Sequence, residues 1–289
     1  ADFKFFTFPG RTNFNGATFT KFVSFRGAAF IGDANFSEVS FQHGALFFGC
    51  KFDSGTDFSN PAFADDVKFS STVFEKRTLF DNVESNAGGL INFESARFNA
   101  LVSFTNIKIN GRISFSGCHF ASTLNLINIS FAHPPDFTGT VMAAHLSLYG
   151  MTIGQGKTYE LGDEGIYCRL KELAATARDH KHEQDFFAHE VRAGRLYQSF
   201  LKKIPGYIYE YTSNFGRSLL LPLSWLSVIW VSCAFAYAPN VFCWPSWVDF
   251  IIGLKVSTAI TLPFLAASHA TFASLIKADL INKSSNWLL

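Results

Sequence analysis

Asn13-Phe14-Asn15-Gly16-Ala17-Thr18-Phe19 and, further on, Ala34-Asn35-Phe36-Ser37-Glu38-Val39-Ser40-Phe41 repeat one short phrase. In each, a phenylalanine follows an asparagine and returns five residues later. Working outward, the rungs are Phe3, Phe8, Phe14, Phe19, Phe25, Phe30, Phe36, Phe41, Phe47, Phe52, Phe58, Phe63, Phe69, Phe74 and Phe80. Steps of five and six alternate, so the true period is eleven residues. The next rung would be Ser85; Glu84-Ser85-Asn86-Ala87-Gly88-Gly89 interrupts, and the ladder resumes two residues late at Phe93. It continues through Phe98, Phe104, Ile109, Phe115, Phe120, Leu126, Phe131, Phe137, Met142, Leu148 and Ile153. A repeat this regular predicts a solenoid, because each unit buries its apolar residue only by stacking on a neighbour.

The residue two places before each rung is small or apolar and never charged: Thr12, Ala17, Val23, Ala28, Ala34, Val39, Ala45, Cys50, Thr56, Pro61, Val67 and Thr72, then Ile91, Ala96, Val102, Ile107, Ile113 and Cys118. Alternate side chains of an extended segment share a face. A large and a small inward residue thus recur on every short face, with Gly, Asn, Ser and charged residues outside. The pattern describes a narrow, right-angled tube filled by its own side chains.

These segments resemble the A-(D/N)-(L/F)-x-x units of the pentapeptide-repeat family. The resemblance covers residues 1–156 and implies a right-handed quadrilateral β-helix. Two eleven-residue units would make one coil, the six-residue step lengthening alternate faces beyond the five-residue norm. Phe14, Phe19, Phe25, Phe30, Phe36, Phe41, Phe47, Phe52, Phe58, Phe63, Phe69, Phe74, Phe93, Phe98, Phe104, Phe115 and Phe120 are the expected core. The resemblance says much about fold and little about activity. Pro134-Pro135 is read as a corner, and Gly88-Gly89 as a bulging insertion or a recognition loop. The chain is in repeat phase by Phe3, without the cap that usually opens a solenoid, so further residues are expected upstream.

At 289 residues there is room for two or three domains. The formal charge is +1, and residues 1–156 hold twelve Asp/Glu against eleven Lys/Arg. Such a rod offers no general attraction to nucleic acid and does not imitate a polyanion, so DNA mimicry toward a topoisomerase ranks last among the functions. The five cysteines, Cys50, Cys118, Cys168, Cys233 and Cys243, make no CxxC, and Cys50 and Cys118, at small inward ladder positions, read as buried reduced thiols. No G-x-S-x-G, P-loop or dinucleotide fingerprint is present, so neither an enzyme nor a cofactor is expected.

Residues 157–206 change period. Ile166, Leu170, Leu173 and Ala177 recur at helical spacing after Gly162; a second helix carries Phe186, Phe187, Val191, Tyr197, Phe200 and Leu201 and is expected to end at Pro205-Gly206. This reads as an amphipathic helical hairpin. His180, His182, Glu183, Asp185, His189 and Glu190 cluster at its turn without an HExxH spacing, which favours a solvated charged turn over metal ligands. Residues 207–218, with Tyr207, Tyr209 and Tyr211, read as an interfacial segment.

Two apolar runs follow, 219–237 and 248–276, read as transmembrane helices with a kink at Pro263 and a short Trp-rich loop between them; 277–289 would be a tail. Lys202, Lys203 and Arg217 precede the first run and Lys277 and Lys283 follow the second, while the loop has no Lys or Arg. The positive-inside rule then places the β-helix and both termini on the cytoplasmic side, in the inner membrane of a bacterium. Trp225, Trp230, Lys255 and His269 are candidate contacts with lipid or a membrane partner. Small residues such as Ala266, Ala267, Ala270 and Ala273 suggest packing of the second span against other membrane protein subunits or another copy.

Cys168–Ala174, Asp185–Ala193 and Ser213–Ser218 are similar to the juxtamembrane part of bacterial membrane-bound pentapeptide-repeat proteins, some of which continue into a two-helix potassium pore. Here Lys255-Val256-Ser257-Thr258-Ala259-Ile260-Thr261 stands where a filter would be, without Gly-Tyr-Gly. The leading expectation is a non-catalytic, membrane-tethered scaffold or accessory subunit that uses its β-helix for protein–protein interaction. The alternative is a degenerate, channel-like oligomer.

Overall fold

A step of 22 residues sets the hydrogen bonding of the first half of the chain. Thr7 pairs with Ala29 and Ala29 with Lys51; Thr12 pairs with Ala34, Thr18 with Ser40, and Val23 with Ala45, all in parallel. Each coil therefore has four faces, as the alternation of five and six predicts. The computed structural model describes residues 1–85, 88–142, 145–154 and 159–236, and residues 250, 251, 253, 254 and 257. The chain divides into two compact units, Ala1–Gly206 and Tyr207–Leu289.

The faces stack as parallel sheets. One has 7 strands, starting at Thr7–Phe8 and ending at Val141–Met142, and one has 5, from Val23–Ser24 to Arg112–Ser114. The remaining 12-stranded sheet covers two faces, because Val102–Ile109 and Leu124–Phe131 run round the corner as single strands. Most strands are two residues long, so stability comes from what they enclose.

They enclose columns of stacked rings. Phe25 lies 4.8 Å from Phe47, which lies 4.8 Å from Phe69, which lies 4.9 Å from Phe93, each pair within 10° of parallel. Phe30, Phe52, Phe74, Phe98 and Phe120 make a second column at 4.6–5.0 Å. Phe36, Phe58, Phe80 and Phe104 make a third. Rings of neighbouring columns meet edge to face, as aromatic quadrupoles prefer. All seventeen expected core phenylalanines point inward; Phe14 and Phe19 are half-buried, stacking on Phe36 and Phe41 on one side. Each fully buried ring contributes about 1.5–3 kcal/mol relative to exposure.

Two opposite corners need left-handed backbone. One column is Gly16, Glu38, Asn60, Asn82, Asn106, Asn128 and Gly150, with φ between +53° and +69°. The other is Phe5, Gly27, Gly49, Ser71, Ser95, Gly117 and Gly139. Each such residue sits two places after a rung, and at many of these corners the amide one place further donates back to the rung's carbonyl, as from Val39 to Phe36 and Cys50 to Phe47, whereas Pro61, after Asn60, has no N–H to give. Positive φ at the third residue of a closed four-residue turn marks type II, which explains Gly and Asn there. The residue before the rung also works: the Asn35, Asp57 and Asn92 carboxyl or amide oxygens accept the N–H two residues on, at 2.8–2.9 Å.

Ser85 does not break the ladder as expected. It occupies the rung, paired with Phe63 before it and Ile109 after it, and is buried. The extra residues fall between Ser85 and Leu90, where the Asp66 carboxylate accepts the Leu90 N–H at 2.9 Å; the coil step there is 24. The register is kept on both sides, and an apolar cavity of about 10 Å³, lined by Phe63, Ile91, Ile107, Ile109 and others, lies nearby.

Helices follow; among the described residues they include α1 (Asp163–Thr176), α2 (His180–Gly194), α3 (Phe200–Ser213) and α4 (Leu220–Ala236). Gly162, at φ +99°, opens α1, and the Asp179 side chain caps α2 by accepting the His182 N–H. Tyr167, Leu170, Leu173 and Ala174 of α1 and Phe186 and Ala193 of α2 join the solenoid core. The second helix stops at Gly194, not at Pro205-Gly206, which lie inside α3. Pro205 lies inside α3, past its first turn, and its missing N–H leaves the Leu201 carbonyl without a helical partner.

No helix among the described residues is long and apolar enough to cross a membrane. The first span, expected at 219–237, is described as α4, whose 17 residues rise about 25 Å against a hydrocarbon core of about 30 Å. The second, 248–276, lies outside the described residues apart from five helical positions between Phe250 and Ser257. The architecture shown is a β-solenoid followed by helices.

Candidate functional site

Polar side chains gather where the last coils meet α1 and α2. A cavity of about 30 Å³ is lined by Arg112, His133, Pro134, Gly154, Tyr159, Glu160, Asp163, Tyr167 and His189 among others. The Tyr159 hydroxyl lies 2.8 Å from His189 Nδ1, and the Tyr167 ring stacks on the imidazole at 4.9 Å. The buried Asp163 carboxylate accepts the Glu160 N–H at 2.8 Å, and Glu160 pairs with Arg112 of the solenoid. Burial, then the negative charge potential of Tyr159 and Asp163, pushes the Tyr167 phenol well up, which keeps it neutral. The space holds little more than a water. These contacts fasten the hairpin to the coils.

The charged turn is dispersed. His180 meets Glu183; His182 bridges the Asp179 carboxylate at 2.6 Å and the Met151 carbonyl at 2.9 Å; His189 belongs to the cavity; Glu190 pairs with Lys171 at 2.6 Å. Among the described residues no group of three His, Cys, Asp or Glu is placed to hold a metal ion. His182 is docked on the solenoid and not solvated as the sequence suggests, because its second nitrogen finds the backbone of the last coil. Burial pushes the Asp179 carboxyl up, but the hydrogen bonds from His182 outweigh it and hold the group below the usual carboxylate range. Arg169 reaches the Thr140 carbonyl at 2.6 Å, a clamp that no sequence motif announces.

Cys50 and Cys118 lie in the core and donate to the carbonyls of Phe25 and Phe93, one coil earlier. Burial pushes both thiols up to about 12. These are inert, space-filling groups.

The second surface is apolar. Along α4, Leu220, Leu223, Trp225, Leu226, Val228, Ile229, Val231 and Phe235 are exposed on all sides of the helix. The Trp225 indole N–H donates to the Tyr211 carbonyl at 3.0 Å, and the Trp230 carbonyl accepts from Ser257 at 2.8 Å. Lys255 and His269 lie outside the described residues.

Residues 3–51 match the family model described as Pentapeptide repeats (9 copies). No curated protein and no solved structure matches the chain. The matched stretch shares its hydrogen-bond register with every later coil through Ile153. Residues 3–51 are therefore pentapeptide repeats, and they open a single β-solenoid that the rest of the first half continues.

Proposed function

We propose that this chain is a non-catalytic interaction module, in which the β-solenoid presents flat faces to protein partners while the apolar segment beginning with α4 tethers it to a membrane. Pentapeptide-repeat proteins often mediate protein interactions, which supports the first half of the reading. The observation that carries the second is α4: a helix apolar on every side and exposed over most of its length, Ala234 apart, is stable only when something other than water covers it. Charge placement around the apolar runs supports a cytoplasmic position for the solenoid at a bacterial inner membrane.

The test is carbonate extraction of membranes from cells expressing the full chain, followed by gentle solubilisation and mass spectrometry of co-purifying proteins. Retention in the membrane pellet with a partner at fixed stoichiometry is the expected result. A chain that stays in the supernatant, monodisperse and alone, refutes the reading.

A further inference from the structure

The helix before α4 carries a different signature. Phe200, Leu201, Ile204, Tyr207, Ile208 and Tyr211 recur at spacings that place them on one face of α3, and all six are exposed, from 39% at Ile204 to 78% at Phe200. No residue of α3 is buried. Lys202, Lys203, Glu210, Thr212 and Ser213 share the remaining surface with Pro205 and the exposed Tyr209. A helix with one apolar stripe and a polar back lies in a plane, half sunk, whereas one apolar all round is enclosed. α3 is of the first kind and α4 of the second.

Charge identifies the plane. Residues 191–236 contain five basic side chains, Arg192, Arg195, Lys202, Lys203 and Arg217, against one acidic, Glu210, a balance of +4 in a chain whose total is +1. Among these, Lys202 and Lys203 sit on α3 itself. Tyr207 and Tyr211, on the stripe, have an apolar body and a polar tip, suited to a boundary between hydrocarbon and water. A protein groove would supply the apolar contacts but gives no reason for the one-sided charge; an anionic lipid surface supplies both.

Resting on the membrane reading above, we propose that α3 lies in the headgroup plane of a bilayer and selects anionic phospholipid, its apolar stripe inserted and its lysines against lipid phosphates. The tether would then recognise lipid class as well as hold on.

The test synthesises the full chain in a cell-free system with preformed vesicles, either pure phosphatidylcholine or phosphatidylcholine with 30% phosphatidylglycerol, and obtains partition coefficients by flotation over a lipid titration. The wild type is expected to prefer the anionic vesicles. Lys202→Gln/Lys203→Gln should cut that preference by roughly 30-fold, at about 1 kcal/mol per basic residue near the surface. Ile208→Asp should weaken binding to both compositions, with circular dichroism confirming that each variant keeps its helical and β content. A wild type that floats with both vesicles and an unchanged preference in the double lysine variant overturns this inference alone. Flotation with neither composition overturns the membrane reading and this inference with it. A chain that ignores vesicles but forms a dimer that Ile208→Asp dissociates assigns the stripe to a second copy and likewise overturns it.

Discussion

Replacing Phe58 by alanine tests the ring columns where they are most complete. Phe58 is 0% exposed, stacks at 4.8 Å on Phe36 and 5.1 Å on Phe80, and meets Phe47 and Phe69 edge to face at 5.6 and 5.2 Å. Truncation removes the transfer free energy of the ring and leaves a hole that two-residue strands, fixed by ladders above and below, cannot close. The expected cost is about 3–5 kcal/mol, with each lost stacked pair contributing about 0.5–1.5 kcal/mol of it. Because each coil touches only its neighbours, the loss should stay local. Hydrogen exchange read by mass spectrometry on the full chain in detergent should show at least about a hundredfold faster exchange in residues 36–80, with the helices unchanged. Phe22→Ala is the control, since Phe22 is 53% exposed and should change stability by no more than about 0.5 kcal/mol. Equal exchange in the two variants would refute the claim that stacked, enclosed rings hold the coils together.

Other expectations follow from single contacts. Asn106→Val, which puts a branched side chain at φ +54°, should cost about 1–2 kcal/mol while Asn106→Gly is tolerated, measured by chemical denaturation. Cys50 and Cys118, with thiols pushed up to about 12, should resist alkylation at pH 8 in the folded protein and react once it is unfolded. Asp179 sits below the ordinary carboxylate value near 3.8, so its contribution is present above that value and lost as the pH falls through the lower, folded one. Exchange protection of α2 should therefore drop in acid, and Asp179→Asn should remove that acid-dependent component; protection that falls identically in both proteins would count against it. Arg169→Met should loosen α1 from the coil that carries Thr140, seen as faster exchange in α1 alone.

The ladder was readable from residue types because each rung repeats one physical problem, burying a ring between coils. Residue type also marked the corners, since Gly, Asn and Ser fall there, but the left-handed column of Asn60, Asn82, Asn106 and Asn128, one coil apart, does not stand out from the other outward polar residues. What it does emerges only once Asn82 is seen to donate to Asn60 at 2.9 Å and Asn128 to Asn106 at 3.2 Å. The end of the second helix differs from the expectation because Pro and Gly usually stop helices, whereas Pro205-Gly206 lie inside α3, a helix of its own. The polar cavity was not legible at all. Arg112, His133, Tyr159, Tyr167 and His189 come from separate coils and helices, and no period brings them together.

The two left-handed corners have an architectural consequence. They stand half a coil, eleven residues, apart, and both halves of the coil use the same alternation of inward and outward side chains. Adding or removing one such half would leave the chemistry of every rung intact while swinging everything downstream through a half-turn about the long axis. Such a protein can be lengthened by evolution in small increments, and the parity of the count decides which side of the rod its helical hairpin leaves from.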